Sequence, residues 1–265
     1  MSQVKIRSFI KAPSGSILIQ CDLSQAESWI VAHLANEQNM KSALLRGKFH
    51  EDTASKALFQ VPESDVTKEM RFCGKQCNHA FSYRMGAERA AQVINKYSDK
   101  PPYLVVSTKE TREFQAKWLQ YYKGISTWWL SIDEVMSRNR ILVTAYGRKR
   151  KFYGQFGKEL AKEMTAWEPQ STIADHANGA VCDLLGIEGG VKGVYKELEK
   201  HSMGHIINQS HDSIIVECLS ANKEYCIEVM IKQMKRPLVV NGQTFTIPVD
   251  IEVGERWGEM EKVTI

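Results

Sequence analysis

Apolar side chains recur along this 265-residue chain with two different periods. Residues 16–24, SILIQCDLS, gather strand-favouring side chains and close on turn formers, so the pattern predicts a strand. From Gln25 to about Asn36 the apolar positions Ala26, Trp29, Ile30 and Leu34 fall at three- and four-residue intervals, which predicts a helix. Residues 47 to about 145 read as mostly helical, interrupted by the turn-rich SDKPPY. From Tyr146 the pattern is mixed. A helix is predicted around 171–185, a hairpin through HIINQSHDSIIVEC at 205–218, and a further helix near 221–235. In the closing strand, FTIPVDIEV, Ile247, Val249, Ile251 and Val253 share one face. Both ends of the chain supply strands and its middle supplies helices. The expectation is an α+β fold: an antiparallel sheet with packed helices, built from residues 1–46 and 146–265, with a mostly helical insertion over 47–145.

The hairpin carries the first candidate chemistry. Ile206 and Ile207 lead in and Ile214, Ile215 and Val216 lead out, while Asn208, Ser210, Asp212 and Ser213 are turn formers. Asp212 therefore sits near the bend, where flanking strands anchored in a core present its carboxylate to a cleft. Asp22 stands at the exit of the first strand and Glu27 in the first turn of the helix that follows. Asp22 and Asp212, on separate β elements, make the simplest site for a hard divalent cation such as Mg²⁺, which keeps several waters and needs few protein ligands. Structural readings stand beside these: turn propensity alone for Asp212 and Asp22, and an S-x-x-E capping box for Ser24 and Glu27.

A second pattern lies in VTKEMRFCGKQCNHAFSYRMG, residues 66–86. Arg71, Lys75, His79 and Tyr83 recur every four residues, a slowly turning helical ridge about 18 Å long. An Arg and a Lys one turn apart suit the oxygens of a triphosphate, and a ring further along can stack on a sugar or base. A solvated basic face ending in a core Tyr is the alternative.

Bulk properties narrow the partners without choosing one. The length allows one large domain or two smaller ones. A net charge of +4 and a pI near 8.6 permit a polyanionic partner. The six cysteines, Cys21, Cys73, Cys77, Cys182, Cys218 and Cys226, include no C-x-x-C pair and suggest the reduced thiols of an intracellular, cytoplasmic protein. No segment has the length of a membrane span, and MSQVKIRSFIKAP lacks the apolar centre of a signal peptide.

Taken together, the motifs resemble those of family A DNA polymerases. DLSQAESWIVAHLA resembles the family's D-Y-S-Q-x-E-x-R-x-x-A-H-L-S, RFCGKQCNHAFSYRMG its R-x-x-x-K-x-x-x-F-x-x-x-Y-G helix, and QSHDSIIVE its Q-V-H-D-E turn. FHEDTA, YGRKRK, PQSTIAD and the closing VGERW add lesser matches, in order, from Ile6 to about Trp257. The resemblance implies a palm over 1–46 and 146–265 and fingers over 47–145. It implies that Asp22 and Asp212 hold two Mg²⁺ ions and that Arg71 and Lys75 grip the incoming deoxynucleoside triphosphate, Lys75 also serving as acid to the leaving group. His50 matches a further phosphate contact, Tyr83 the ring guarding the template base, and Glu27 the steric gate against a ribose 2′-hydroxyl. His79 matches the position that packs on the nucleotide sugar. Arg148, Lys149, Gln170, Gln209 and His211 fall where the family contacts primer-template DNA.

The chain also departs from the pattern. His79 replaces a Phe or Tyr, Ser213 replaces the Glu after the second Asp, and Arg84 replaces the Gly after the fingers Tyr. H-D-S is also common in single-subunit RNA polymerases, but Gln25 and Glu27 favour deoxynucleotides. A non-catalytic nucleic-acid-binding remnant is the reading of another class, and retention of both aspartates with Arg71, Lys75 and Tyr83 argues against it. Only 21 residues precede Asp22, so thumb and exonuclease-like domains are expected to be absent and a thumb to come from another chain.

Overall fold

The run SILIQCDL becomes the middle strand of a sheet because its side chains alternate between two covered faces, with Ile19, Cys21 and Leu23 buried on one of them. The computed structural model describes residues 6–96, 104–185 and 204–264; SDKPPY lies outside them. Among the described residues the strands are, in chain order, β1 (Ser16–Leu23), β2 (Ile141–Val143), β3 (Lys149–Lys151), β4 (His205–Ser210), β5 (Ser213–Leu219), β6 (Leu238–Val240), β7 (Gln243–Phe245), β8 (Val249–Gly254) and β9 (Glu261–Val263). The α-helices are α1 (Ala26–Leu34), α2 (Gln38–Leu45), α3 (Phe49–Asp52), α4 (Lys68–Ser82), α5 (Ala87–Lys96), α6 (Thr108–Tyr121), α7 (Lys123–Arg138), α8 (Lys158–Leu185) and α9 (Lys223–Met234). The fold is α+β, as the periodicities predict.

Two compact units form. One comprises Met1–Ala26 and Ser171–Ile265, the other Glu27–Gln170. In the first, five antiparallel strands lie in the order β4-β5-β1-β8-β9, and α9 packs on the sheet. The C-terminal part of α8 is tied to the end of α9 by a buried cluster. Arg236 donates to Asp183 Oδ2 at 3.0 Å and to the His176 carbonyl at 2.6 Å, and the His176 ring meets the Met234 carbonyl at 2.9 Å.

Among its described residues the second unit's regular structure is helical apart from the β2–β3 hairpin. Its centre is an aromatic cluster of Phe49, Phe81, Trp118 and Tyr122, in which Trp118 and Tyr122 meet edge-on at 5.1 Å between ring centres. After α3 the chain continues as a π-helical stretch, Thr53–Phe59, that ends on Gln60 in the left-handed region.

Three elements differ from the periodicity. The closing strand is two: β7 pairs with β6, and β8 starts only at Val249, because Pro248 has no N–H for a ladder and its carbonyl instead accepts the Ser24 N–H at 2.7 Å. The helix expected from 171 is the end of α8, which begins at Lys158 and runs through Pro169. The β2–β3 hairpin opens at Ile141, inside the stretch read as helical; its three-residue strands are too short for a clear alternation.

Candidate functional site

In the first unit the hairpin forms as its turn residues dictate. β4 and β5 are joined by His211 and Asp212, with His211 in the left-handed region at φ 54°. The Ser213 hydroxyl donates to the Ser210 carbonyl at 3.0 Å and closes the turn. Where the family has a Glu, this chain therefore has a buried turn fastener. The β1–β5 ladder runs up to Asp22 opposite Ser213, and beyond it the Leu23 N–H donates to the Asp212 carbonyl at 3.0 Å, setting the Asp22 and Asp212 backbones side by side.

Asp250 joins them. It lies directly opposite Asp22 in the β1–β8 ladder, and opposite residues of an antiparallel pair share a face. Its carboxylate is held by Lys262 at 2.6 Å. Burial pushes the Asp22 carboxyl up to about 7, and the neighbouring charges of Asp212, Asp250 and Glu252 push the same way. Asp22 and Asp212 thus offer hard oxygen ligands where negative charge has accumulated, the setting that a divalent cation relieves. Among the described residues no three His, Cys, Asp or Glu side chains converge as a metal cage. The residues fit a cation that keeps most of its water.

In the second unit α4 is capped by Thr67, whose hydroxyl accepts the Met70 N–H at 3.3 Å. Arg71, Lys75 and His79 are exposed along it at four-residue spacing, while Cys73, Cys77, Asn78 and Phe81 face the interior. Arg71 is not isolated: its Nε donates to Glu51 at 2.6 Å beside an open cleft of about 420 Å³ that Lys48, Lys68 and Arg71 help to line. His50 sits on α3, which approaches α4 so closely that a Cβ on Gly74 would stand 2.4 Å from the His50 carbonyl. Burial, then the charges of Arg71 and Lys75, push the His50 ring down to about 4, so it is neutral at pH 7.

Tyr83 follows the last residue of α4 and meets the His79 ring edge-on at 5.8 Å between centres. Its hydroxyl donates to the Glu27 carboxylate. α1 begins at Ala26 after Gln25 in the left-handed region, which sets the helix start off the S-x-x-E spacing of the alternative capping-box reading, and the Glu27 carboxylate accepts the Tyr83 hydroxyl. Arg84 also has positive φ, 59°, the conformation that its glycine counterpart would adopt freely. It is held there by Asp133 at 2.8 Å, by the Trp129 carbonyl at 2.6 Å and by the Trp129 ring.

The nucleic-acid candidates divide between the units. Arg148 and Lys149 lie on the exposed β2–β3 hairpin and Gln170 on an exposed position of α8; Gln209 ends β4's exposed row and His211 is the exposed turn residue. The hairpin also exposes Tyr146 and Tyr153 beside Arg150 and Lys151. Sequence reasoning missed Glu51, Asn78 and Asp250. Asn78 adjoins His79 within the motif but lies off the ridge, and only its partners reveal it.

The comparisons supply the family. A sequence model of DNA polymerase family A matches residues 1–259, and the chain belongs to that family. It is 25% identical over 252 residues to the DNA polymerase I of Caldicellulosiruptor bescii, covering 94% of this chain and 27% of the relative. It is 26% identical over 260 residues to that of Borreliella burgdorferi, covering 97% and 26%. The chain thus spans about a quarter of the length of these relatives. Among solved structures it resembles the POL domain of Pol1 from M. smegmatis in complex with DNA primer-template and dNTP, with a TM-score of 0.77 at 20% identity, over 95% of this chain and 42% of that one. That likeness concerns the fold. Among the described residues no helix is long and apolar enough to cross a membrane.

Proposed function

We propose that the chain is the palm-and-fingers part of a template-directed DNA polymerase, extending a primer 3′ end with deoxynucleotides. The observation that carries this reading is the apposition of Asp22 and Asp212, through the Leu23–Asp212 backbone bond, in a member of family A. The proposed palm is 1–46 and 146–265 and the proposed fingers 47–145. The M. smegmatis neighbour holds primer-template DNA and dNTP, and these are the ligands proposed here.

Asp22 and Asp212 would hold two Mg²⁺ ions, which when bound activate the primer hydroxyl and neutralise charge on the leaving pyrophosphate. The chain's own groups bind and orient. Arg71, steadied by Glu51, and Lys75 grip the triphosphate, and Lys75 gives a proton to the leaving group. His50, neutral, contributes an N–H donor to a phosphate oxygen. Glu27, held by Tyr83, crowds a 2′-hydroxyl, and His79 packs at the sugar. Arg148, Lys149, Gln170, Gln209 and His211 contact the duplex.

A thumb-bearing or exonuclease-bearing chain is a proposed partner. Product length per binding event under a DNA trap, with and without that chain, tests it: partner-dependent lengthening supports it, and long unassisted products refute it. The activity itself is tested by primer extension with Mg²⁺ and deoxynucleotides, in which Asp22→Asn and Asp212→Asn should abolish extension while leaving DNA affinity unchanged.

A further inference from the structure

Asn78 is buried on the inner face of α4 and meets three side chains. Its Oδ1 accepts the Trp118 indole N–H at 2.8 Å, its Nδ2 lies 3.3 Å from His50 Nδ1, and the Thr53 hydroxyl stands 2.9 Å from Nδ2 and 3.0 Å from Oδ1. Thr53 both donates and accepts, so it does not orient the amide. Trp118 does: an indole nitrogen is a donor only, and turning the amide over would set two donors face to face. With Oδ1 fixed toward Trp118, the group facing His50 is an NH₂. His50 Nδ1 must then be the acceptor, and the ring proton must be on Nε2.

We infer that Asn78, oriented by Trp118, is a positioning residue that locks His50 as the Nε2–H tautomer, so that the ring presents a neutral N–H donor to an anionic ligand. That the ligand is the triphosphate rests on the polymerase reading above; the tautomer does not. His50 Nε2 has no hydrogen-bond partner among the described residues, and the depressed pKa keeps the ring a single-proton donor at pH 7. Gly74, having no Cβ, lets the His50 backbone lie close against α4, where Asn78 reaches the ring.

The test is long-range ¹H–¹⁵N NMR of the full chain labelled with ¹⁵N-histidine, at pH 7. The parent should give His50 an unprotonated Nδ1 and a protonated Nε2; a protonated Nδ1 in the parent overturns the inference before any variant is made. Asn78→Asp keeps shape and the Trp118 bond but offers only acceptors, so it should move a proton onto His50 Nδ1. An unchanged tautomer in that variant would also overturn it. In primer extension Asn78→Asp should raise the KM for deoxynucleotide about tenfold, the cost of one misdirected charge-assisted hydrogen bond, with a smaller change in kcat. A merely structural role would lower thermal stability and leave both tautomer and KM in place. If the parent does not extend primers at all, the triphosphate assignment fails while the NMR result still decides the lock.

Discussion

The Tyr83 hydroxyl, just past the end of α4, donates to the carboxylate of Glu27 on α1. The bond joins residues 56 positions apart and ties the last residue of the ridge to the proposed sugar gate. Burial, and then the Glu27 charge, hold the Tyr83 phenol far above its ordinary range, so it remains a donor at every working pH.

The proposed gate is tested beside that bond. Glu27→Ala should raise ribonucleotide use relative to deoxynucleotide use, because a gate acts by exclusion. Tyr83→Phe, which leaves the carboxylate unheld, should move the ratio less and in the same direction. His79→Tyr should alter dideoxynucleotide termination. The check is the ratio of kcat/KM for the paired nucleotides; if Glu27→Ala costs only about 1–3 kcal/mol of stability and the ratio stays put, the bond is a structural tie alone.

Arg84 keeps a backbone conformation that costs a non-glycine residue about 1 kcal/mol. Asp133 and the Trp129 carbonyl offset that cost. Asp133→Ala should destabilise the chain by about 1–3 kcal/mol in urea unfolding, since it strips the partner from a largely covered guanidinium. Arg84→Gly relieves the backbone but loses both bonds and should also be less stable than the parent; a more stable variant would contradict the anchoring role.

Gly74 permits the contact of α3 with α4. Gly74→Ala would place a carbon 2.4 Å from the His50 carbonyl and 3.3 Å from the Ala54 nitrogen, so backbone must move. The expected loss is about 1–3 kcal/mol, with amide shifts in NMR spectra concentrated at residues 50–54 and 71–78. A thermally neutral variant with an unchanged spectrum would mean that the two helices are less closely apposed.

Asp22 makes stability depend on pH with a definite sign. Its folded pKa of about 7 lies above the ordinary carboxyl value of 3.8, so its stabilising contribution is complete below about 4 and is lost as pH rises through 7. Without metal, Asp22→Asn should therefore be more stable than the parent at pH 8, by about 2 kcal/mol after allowance for solvent screening, and equal to it near pH 4. Excess Mg²⁺ should narrow the gap by stabilising the parent. Parallel urea titrations with chelator read this directly, and a variant less stable at pH 8 would show that Asp22 is not crowded by its neighbours.

The strand period made β1, β4 and β5 legible, and the four-residue recurrence of Arg71, Lys75 and His79 placed them on one face of α4. What local pattern could not carry is pairing. Asp250 faces Asp22 only because β8 pairs with β1 across more than two hundred residues, and Asn78 matters only because Trp118 and His50 converge on it. The split of the closing strand was written in Pro248, but its alternation of apolar residues concealed it. Arg84 read as a departure from the family, and its anchor on α7 is a tertiary contact that no motif holds.

The most direct test of the account is extension of a primed template by the purified chain with Mg²⁺ and the four deoxynucleotides, run beside Asp22→Asn and Asp212→Asn. Template-directed extension by the parent, absent in both variants although they bind the same DNA with the same affinity, is the predicted result. Extension by either variant at near the parental rate would contradict the assignment of the two aspartates, and failure of the parent to extend, with or without a thumb-bearing partner, would contradict the polymerase reading itself.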